Sequence, residues 1–299
     1  MKIVLTGSLG NISKPLTSML VEQGHTVTVI SSNAEKKTDI EALGANAAIG
    51  SVTDGIFLTA TLTGVDAVYL MVPPNYHRDS SLKPVEFYRQ VGQLYAKAIR
   101  EAGVKRVIHL SSMGAHLAEG TGIVLGHYVV ENILKELPGI SLTHLRPTAF
   151  YYNLYNFIAR IKRDGVIAAN YGDQDVLPWV SPLDIAAAVA DELATIIHGR
   201  KIRYVCSDEP SCNEVAGVLG SAIGIPDLKW IVIPDEQMQR GLEASGVPKD
   251  AATGLVEINA SIHKGLFTED YFKNRPAVMG NVKIADFARD FAAAFHKAV

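Results

Sequence analysis

The first thirteen residues constrain the fold more than any other stretch. A short apolar run from Ile3 to Leu5 gives way to a glycine-containing turn, and a helical pattern follows through Leu16, Met19 and Leu20. A buried strand that ends in such a turn brings backbone amides close to a pyrophosphate, and the positive end of the next helix favours the anion. The sequence therefore predicts a dinucleotide-binding site at the beginning of the chain.

The spacing of the turn is G-x-x-G-x-x-S. Gly7 and Gly10 are present, and Ser13 stands where a third glycine allows close packing of the helix on the strand. A small serine is tolerable there but weakens the match, and a glycine pair alone also occurs in ordinary tight turns. The predicted cofactor contacts in this turn are Gly7, Ser8, Leu9, Gly10, Asn11 and Ile12.

The end of the second predicted strand, after Ile30, indicates which dinucleotide is bound. An acid at this place accepts a hydrogen bond from the adenosine ribose 2′-hydroxyl and repels a 2′-phosphate. This chain has no acid there but hydroxyl and amide groups, with Lys36 and Lys37 one helical turn later. We therefore expect NADP(H) in preference to NAD(H). Alternatively, Asn33 only caps the next helix and the lysines form a solvated face. The predicted phosphate contacts are Ser31, Ser32, Asn33 and Lys36.

Strand-like and helix-like segments alternate along the chain, with further strands predicted at 47–50, 67–72, 107–110 and 142–145. A polar segment, 75–83, precedes a long helix from Pro84 to Ala102. Such alternation is typical of right-handed βαβ units, so we predict an α/β fold with a doubly wound parallel sheet of the Rossmann type. Cofactors lie across the carboxyl ends of these strands. Ser51, Val72 and Pro73 follow strands and are predicted to line the cofactor.

A second group of polar residues lies on the helix predicted at 124–137. His127 and Glu131 are four residues apart, so they share a helix face and can form a hydrogen bond that orients the imidazole. Alternatively, they are a structural pair. The loop with Pro147 and Thr148 is predicted to close over the nicotinamide, whereas His109, inside a strand, is expected to be a packed, hydrogen-bonded histidine.

These segments together resemble an NmrA-like member of the atypical short-chain dehydrogenase/reductase superfamily over nearly the whole chain. The resemblance implies NADP(H) binding and an activity among quinone and other small-molecule reductases, dye reductases, isoflavone-reductase-like enzymes and redox-sensing regulators. The matching pieces besides the glycine turn are Gly50-Ser51-Val52-Thr53-Asp54, Leu110-Ser111-Ser112, His127-x-x-x-Glu131, Leu145-Arg146-Pro147-Thr148-x-Phe150, Asn153 and the stretch from Pro178 to Ala186.

The chain departs from the superfamily in its acid pair. The Tyr-x-x-x-Lys pattern of short-chain dehydrogenases is missing, because Asn132 follows Tyr128 at the lysine position. His127 stands where NmrA-like relatives often carry lysine and some quinone-reductase-like members carry histidine, so it is predicted to bind the nicotinamide ribose or a substrate carbonyl. The pKa of an unperturbed histidine lies near neutral pH, so His127 is expected to be able to donate a proton there. Acceptors that need little acid assistance fit best. The predicted catalytic residues are His127, Ser111, Ser112 and Glu131.

Five aromatic residues lie between positions 150 and 157. Aromatic residues at helical spacing usually form core, but some of these could face a flat apolar substrate. The predicted substrate contacts are Phe150, Tyr152, Asn153 and Tyr155. Ser181 caps a helix predicted to run to Ile197 and to return to the nucleotide domain. We thus expect a dinucleotide-binding domain at 1–150 with 180–205, and a smaller, mostly helical substrate lobe at 151–179 and 206–299.

Composition limits the partners. The chain has 299 residues and a net charge of -3, which gives no electrostatic case for nucleic acid or an anionic membrane. Two cysteines are too few for a disulfide framework or a zinc site, and the turn 172–175 lacks metal-ligand spacing, so no metal is expected. Cys212 lies in a predicted first helical turn, where a thiolate is favoured, but a lone cysteine at such a place is usually inert. We expect a cytoplasmic protein with a small-molecule partner, and the oligomeric state stays open.

Two functions of different classes fit these residues. The first is an NADPH-dependent reductase that transfers hydride to a quinone-like or conjugated carbonyl or imine acceptor, held by the aromatic segment. The second is a protein that binds NADP(H) without turnover and reports the redox state to a partner. The lost Tyr–Lys pair favours the sensor, and the aromatic residues after Thr148 favour the reductase.

Overall fold

The structure is a computed structural model that describes residues 1–73, 83–195 and 199–297. The predicted polar segment after Pro73 and the predicted helix end at Ile197 lie largely or wholly outside these ranges. A seven-stranded sheet forms the centre, with the strand order β10-β6-β5-β4-β1-β2-β3. The strands are β1 Lys2–Leu5, β2 Thr26–Ser31, β3 Asn46–Ile49, β4 Ala67–Leu70, β5 Arg106–Leu110, β6 Ser141–Pro147, β7 Ala149–Phe150, β8 Ile167–Ala169, β9 Trp179–Val180, β10 Arg200–Val205 and β11 Trp230–Val232.

Helices separate most of the strands. The α-helices are α1 Ser13–Glu22, α2 Lys36–Ala42, α3 Gly55–Leu62, α4 Pro84–Ala102, α5 Leu125–Leu134, α6 Ile158–Asp164, α7 Pro182–Ala194, α8 Cys212–Ile223, α9 Asp235–Ala244, α10 Lys249–His263, α11 Glu269–Lys273 and α12 Ile284–Lys297. Two 3₁₀ helices, Gly122–Val124 and Tyr151–Phe157, lead directly into α5 and α6.

The predicted doubly wound α/β fold is confirmed. β1 pairs in parallel with both β2 and β4, β2 with β3, and β5 with both β4 and β6. The chain runs outward from β1 through β2 and β3 and then returns to place β4 on the other side of β1, so the strand order reverses beside β1. Ligands of open parallel sheets bind at such a switch point, beyond the carboxyl ends of the strands. The glycine turn lies at this point.

Local sequence explains where several helices begin and end. The fixed φ of Pro84 suits the first position of α4, and Gly103 ends that helix at a φ of 72°. Asp54 accepts hydrogen bonds from the backbone N–H groups at the start of α3. Ser211 and Glu214 form a reciprocal capping box at the start of α8.

The apolar core of the sheet lies between β4, β5 and β6 and the helices α3, α4 and α5. Val68 and Val107 of the sheet and Val91, Tyr95 and other residues of α4 belong to one buried cluster. Tyr88, Val91, Tyr95 and Ile99 recur on one face of α4 and are buried there. This spacing of three and four residues is the apolar stripe of a helix that packs on a sheet.

The chain divides into two compact units. The first contains residues 1–115, 126–146 and 185–203, and the second contains residues 116–125, 147–184 and 204–299. The sequence predicts limits near 150, 180 and 205 and assigns 116–125 to the first part, and that division stays a prediction. The roles expected for the two parts stay predictions.

Within the described ranges, none of the helices combines the length and the apolar character that crossing a bilayer requires. Over the same residues, no group of three or more His, Cys, Asp or Glu side chains is arranged to hold a metal ion.

Candidate active site

The glycine turn after β1 is built so that only glycine fits its first position. Gly7 has a φ of 93°, and a Cβ there would lie 2.7 Å from the Oγ of Ser13 and 3.1 Å from the Cγ of Met71. Ser8 also has a positive φ, of 53°. The N–H of Gly10 donates to the carbonyl oxygen of Gly7 at 3.1 Å, which closes the turn. Because no side chain extends from Gly7, backbone can approach a pyrophosphate here.

Ser13 replaces the third glycine without opening a gap. Its side chain is buried, and its hydroxyl donates to the carbonyl oxygen of Thr6 at 2.9 Å. Ser13 is also the first residue of α1. The hydroxyl thus ties the helix to the end of β1, so the turn keeps the close packing that the third glycine otherwise allows. The residues of the turn fit a dinucleotide.

The end of β2 separates the predicted phosphate contacts into two kinds. Ser31 is buried, and its hydroxyl accepts a hydrogen bond from Ser8 at 2.9 Å, which links β2 to the glycine turn. Ser32, Asn33 and Lys36 are exposed. Asn33 accepts from the N–H of Glu35 through its side-chain oxygen at 2.9 Å. Ser31 therefore supports the turn from the interior, and the exposed residues remain available to a ligand.

The other residues predicted to line the cofactor are divided between the two units. Ser51, Val72 and Pro73 belong to the first unit, where Ser51 is partly exposed and Val72 is buried. Pro147 and Thr148 belong to the second unit, and both are buried. The N–H of Thr148 donates to the carbonyl oxygen of Val205 at 3.1 Å.

A buried ion pair lies beyond the end of β5. The guanidinium of Arg146 donates twice to Glu131, from Nε to Oε1 at 2.9 Å and from a terminal nitrogen to Oε2 at 2.7 Å. The hydroxyl of Ser111 donates to the same Oε1 at 2.5 Å. Two parallel N–H···O bonds are the strongest arrangement for such a pair. We call Ser111, Glu131 and Arg146 the charged cluster.

The charged cluster changes the interpretation of two predicted catalytic residues. Ser111 is 2% exposed, and its hydroxyl proton is engaged by Glu131. Among the described residues, no hydrogen bond joins Glu131 to His127, whose Nδ1 is buried without a partner. The predicted orientation of the imidazole by Glu131 is therefore wrong, because Arg146 supplies a full positive charge and two donors where a neutral imidazole offers one.

Three histidines form a second group, which we call the histidine cluster: His109 and His144 are buried, and His127 is partly exposed with its Nδ1 atom buried. His109 and His144 occupy paired positions on β5 and β6, and their Nδ1 atoms lie 3.1 Å apart. The ring of His127 lies 6.4 Å from that of His109, centroid to centroid, and 5.0 Å from that of Tyr88. The expectation that His109 is a packed, hydrogen-bonded histidine agrees with this geometry.

Burial keeps the histidine cluster uncharged. It lowers the pKa of His127 to about 4, against the opposing effect of Glu131, and it lowers the pKa of His144 to about 4 as well. The pKa of His109 is well below its ordinary value because of burial and the two neighbouring histidines. The prediction that the pKa of His127 suits proton donation near neutral pH is thus wrong. At neutral pH its imidazole is a neutral hydrogen-bonding group rather than a cationic acid.

Ser112 differs from Ser111 although it is the next residue. Its side chain is partly exposed, and its hydroxyl donates to the carbonyl oxygen of Met113 at 2.8 Å. His127 is also partly exposed. Of the four predicted catalytic residues, His127 and Ser112 are therefore accessible, whereas Ser111 and Glu131 lie in the interior.

The aromatic segment belongs to the second unit, where it forms β7 and a 3₁₀ helix. Phe150 and Tyr152 are partly exposed and stack on each other with their centroids 5.0 Å apart. Tyr155 packs on Phe287 and Phe291 of α12, at centroid distances of 5.2 and 6.0 Å. Tyr155 is partly exposed as well, so its packing on α12 fits the core alternative in part, and all three rings keep accessible surface. Asn153 is exposed.

Cys212 does not have the environment that its helix position suggested. It lies at the start of α8 but is fully buried, and burial, followed by the charges of Asp175 and Asp173, raises the pKa of its thiol. The predicted favouring of a thiolate is wrong, because desolvation outweighs the helix terminus.

Sequence reasoning missed Arg146, His144 and the role of Tyr88. Arg146 was visible only as part of the Leu145-Arg146-Pro147 match, and nothing in its neighbours indicated a carboxylate partner fifteen residues away on α5. His144 shares a strand face with Arg146, two residues earlier, and alternation along β6 was the available signal.

A doubly wound sheet with a glycine turn at its switch point defines a class of dinucleotide-binding proteins. The chain matches the family described as NAD(P)H-binding over residues 7–194, which is more than half of its length. It belongs to this family. The predicted binding of NAD(P)H and the resemblance to this superfamily are confirmed.

Two curated proteins are similar to the chain. It is 27% identical over 301 residues to the NAD(P)H azoreductase of Xenophilus azovorans, covering 98% of this chain and 99% of the relative. It is 26% identical over 225 residues to the (4-alkanoyl-5-oxo-2,5-dihydrofuran-3-yl)methyl phosphate reductase of Streptomyces griseus, covering 75% of this chain and 74% of that protein.

Solved structures share the fold. The NADPH-dependent quinone oxidoreductase of Escherichia coli with bound NADPH has a TM-score of 0.80 at 21% identity, covering 96% of this chain and 99% of that chain. The triphenylmethane reductase of Citrobacter sp. with NADP(H) has a TM-score of 0.79 at 20% identity, covering 97% and 99%.

Proposed function

We propose that this protein is an NADPH-dependent reductase that transfers hydride from the nicotinamide to a small, flat, apolar acceptor, such as a quinone or a conjugated carbonyl or imine. The observation that carries the proposal is the glycine turn, in which Gly7 has no room for a side chain. It stands in a chain that matches an NAD(P)H azoreductase over 98% of its length. The relatives are named as reductases, in line with the predicted oxidoreductase.

The preference for NADPH rests on the end of β2. Positions 31 to 33 carry no acid, so no carboxylate there accepts from a ribose 2′-hydroxyl or repels a 2′-phosphate. Ser32, Asn33 and Lys36 are exposed donors. Lys36 pairs with Asp39 at 3.3 Å, and both side chains are largely exposed, so the ammonium can exchange this partner for a phosphate.

The catalytic roles follow from accessibility. His127 and Ser112 are the partly exposed members of the predicted set, and we propose that they position the acceptor. Ser111 and Glu131 act through the charged cluster, which holds the end of β5 against α5 and β6. A neutral His127 is a weak acid, which favours acceptors that need little protonation during hydride transfer.

A non-catalytic NADP(H) sensor remains the second candidate. It is favoured by two observations: Asn132 stands at the lysine position of the Tyr–Lys pattern, and the hydroxyl of Ser111 is engaged by Glu131. A sensor binds the nucleotide but gives no turnover with any acceptor, so binding and turnover measurements separate the two candidates.

The test begins with fluorescence titrations of the purified protein with NADPH and NADH, followed by oxidation of bound NADPH by a panel of quinones. Tight NADPH binding with turnover supports the reductase. Tight binding without turnover contradicts it and supports the sensor, and no binding removes both.

A lysine pair tests the phosphate site within the same titrations. Lys36→Ala is expected to weaken NADPH binding about five-fold and to leave NADH binding unchanged, since an exposed ion pair is worth about 1 kcal/mol or less. Lys37→Ala is the matched control, because Lys37 is also exposed on the same helix and pairs with Glu41. Equal effects of both variants would remove Lys36 from the phosphate site.

His127 is tested by substitution and by the pH profile. His127→Ala is expected to lower kcat with a quinone by about 10-fold to 100-fold, which is at or below the low end of what general acid–base groups contribute. The wild-type kcat should show no titration of His127 at neutral pH, because the pKa of this imidazole is about 4 and the group stays neutral there. A bell-shaped profile with a limb near pH 6.5, lost in His127→Ala, would contradict the neutral donor.

A further inference from the structure

The loop that connects β5 to α5 is shared between the two units. Ala115 and Gly126 belong to the first unit, whereas the residues between them, 116–125, belong to the second. This segment is flanked along the chain by Ser112 and His127, the two accessible residues of the proposed site. The path of the segment therefore affects residues on both of its sides.

A close backbone contact fixes the segment on α10. Gly122 begins the 3₁₀ helix, and a Cβ on it would lie 2.2 Å from the carbonyl oxygen of Gly254 in α10. Gly122 also has a φ of 50°, in the left-handed region. Thr121, just before it, is fully buried. The clash would be with backbone inside a helix, which cannot move aside as a flexible side chain can.

Hydrogen-bonded residues connect the contact between Gly122 and Gly254 directly to α5. The N–H of Val124 donates to the carbonyl oxygen of Thr121 at 3.0 Å, and the N–H of Leu125 donates to that of Gly122. α5 begins at Leu125, so the 3₁₀ helix passes directly into the turn that carries His127. The 3₁₀ helix and α5 are therefore continuous.

The first turn of α5 also makes a tight contact on its other side, through Gly126. A Cβ on Gly126 would lie 2.5 Å from the Cγ of Tyr88, so the α5 backbone rests directly on the Tyr88 ring. That ring also meets the imidazole of His127 edge-on. The first turn of α5 thus has a tight contact against α4, and a second tight contact, that of Gly122 with Gly254, immediately precedes it along the chain.

We infer that Gly122 is a positioning residue: its backbone contact with Gly254 of α10 sets the first turn of α5 and thereby the place of His127. The inference rests on the proposed reductase function.

The experiment compares two glycines of the same loop. Gly122→Ala introduces both left-handed strain and the clash with α10. Gly120→Ala introduces only the strain, because Gly120 has a φ of 72° and nothing within 4 Å of its Cβ position. Quinone turnover, NADPH affinity and hydrogen–deuterium exchange of the first turn of α5 are measured for both full-length variants.

Gly122→Ala is expected to lower kcat about 10-fold to 100-fold, because a misplacement of about 1 Å can cost 100-fold. NADPH affinity stays at the wild-type value, and exchange in the first turn of α5 becomes faster. Gly120→Ala behaves like the wild type in all three measurements. If Gly122→Ala does not fold, Gly254→Leu approaches the same contact from α10 and is expected to give the same results.

The outcomes separate the two proposals. Unchanged exchange in α5 in the variant that folds, or equal effects of Gly120→Ala and Gly122→Ala, overturns the positioning role. A wild-type protein that binds NADPH but reduces no quinone overturns the reductase, and the positioning role with it, even where the exchange of α5 responds to Gly122→Ala.

Discussion

The charged cluster and the histidine cluster lie next to each other, but they offset the cost of burying polar groups in opposite ways. His109 on β5 and Ser111, just after its end, are two residues apart, and His144 and Arg146 are two residues apart on β6, so both clusters lie on the same side of the sheet. The charged cluster has a carboxylate with three donors. The histidine cluster has one hydrogen bond and several buried nitrogens without partners in the described residues.

The difference follows from what each side chain can do when it leaves water. A buried carboxylate near a guanidinium stays charged, and the pair needs good geometry to offset desolvation. An imidazole with a pKa near neutrality avoids that cost by losing its proton. The charged cluster is therefore rigid and sensitive to removal of one partner, whereas the histidine cluster is sensitive to acid.

The largest effect is expected from Arg146→Met, which leaves the carboxylate of Glu131 buried without a countercharge. We expect a loss of about 3–5 kcal/mol in the free energy of unfolding, measured by urea denaturation. The double variant Arg146→Met/Glu131→Gln should regain most of this loss, because no buried charge remains. If Arg146→Met lowers the free energy of unfolding by less than about 1 kcal/mol, water reaches the charged cluster. The proposed difference between the two clusters would then be wrong.

Acid should distinguish the histidine cluster. The folded pKa values of His127 and His144 are about 4, below the unfolded value of 6.5, so the unfolded chain binds more protons between these pH values. Stability is therefore lost as the pH falls from about 6.5 to about 4, by up to about 1.4 kcal/mol per pH unit for each histidine. Urea denaturation at several pH values measures the slope.

Two histidine variants sharpen this measurement. His144→Gln removes one titrating group and should reduce the slope, whereas His296→Gln, at an exposed position of α12, should leave it unchanged. Equal slopes in the wild type and His144→Gln would show that the histidine cluster is not the source of the acid sensitivity.

The smallest effect concerns two adjacent serines. Ser111→Ala removes a buried donor to Glu131 and is expected to cost about 1–3 kcal/mol, as for a hydrogen bond to a charged group. Ser112→Ala, at a partly exposed position, should cost clearly less. Thermal melting of the two variants tests whether Ser111, but not Ser112, belongs to the charged cluster. Equal losses of stability in the two variants would contradict this assignment.

Much of this protein was determined by the sequence itself. The glycine turn, the alternation of strands and helices, and the caps at Asp54 and Ser211 all depend on residues within a few positions of one another. The bounds of α4 follow from Pro84 and Gly103 for the same reason. Local backbone preference and apolar periodicity are sufficient for such features.

Only the tertiary structure decided the partners of the buried polar groups. The spacing of His127 and Glu131 predicted a pair on α5, but β6 brings Arg146 to Glu131, and a bidentate guanidinium binds the carboxylate more strongly. Likewise, burial raises the pKa of the Cys212 thiol, so the thiolate that the helix position suggested is not favoured. Burial and partners depend on contacts between distant segments, such as that of Gly122 with Gly254, and local sequence patterns do not specify such contacts.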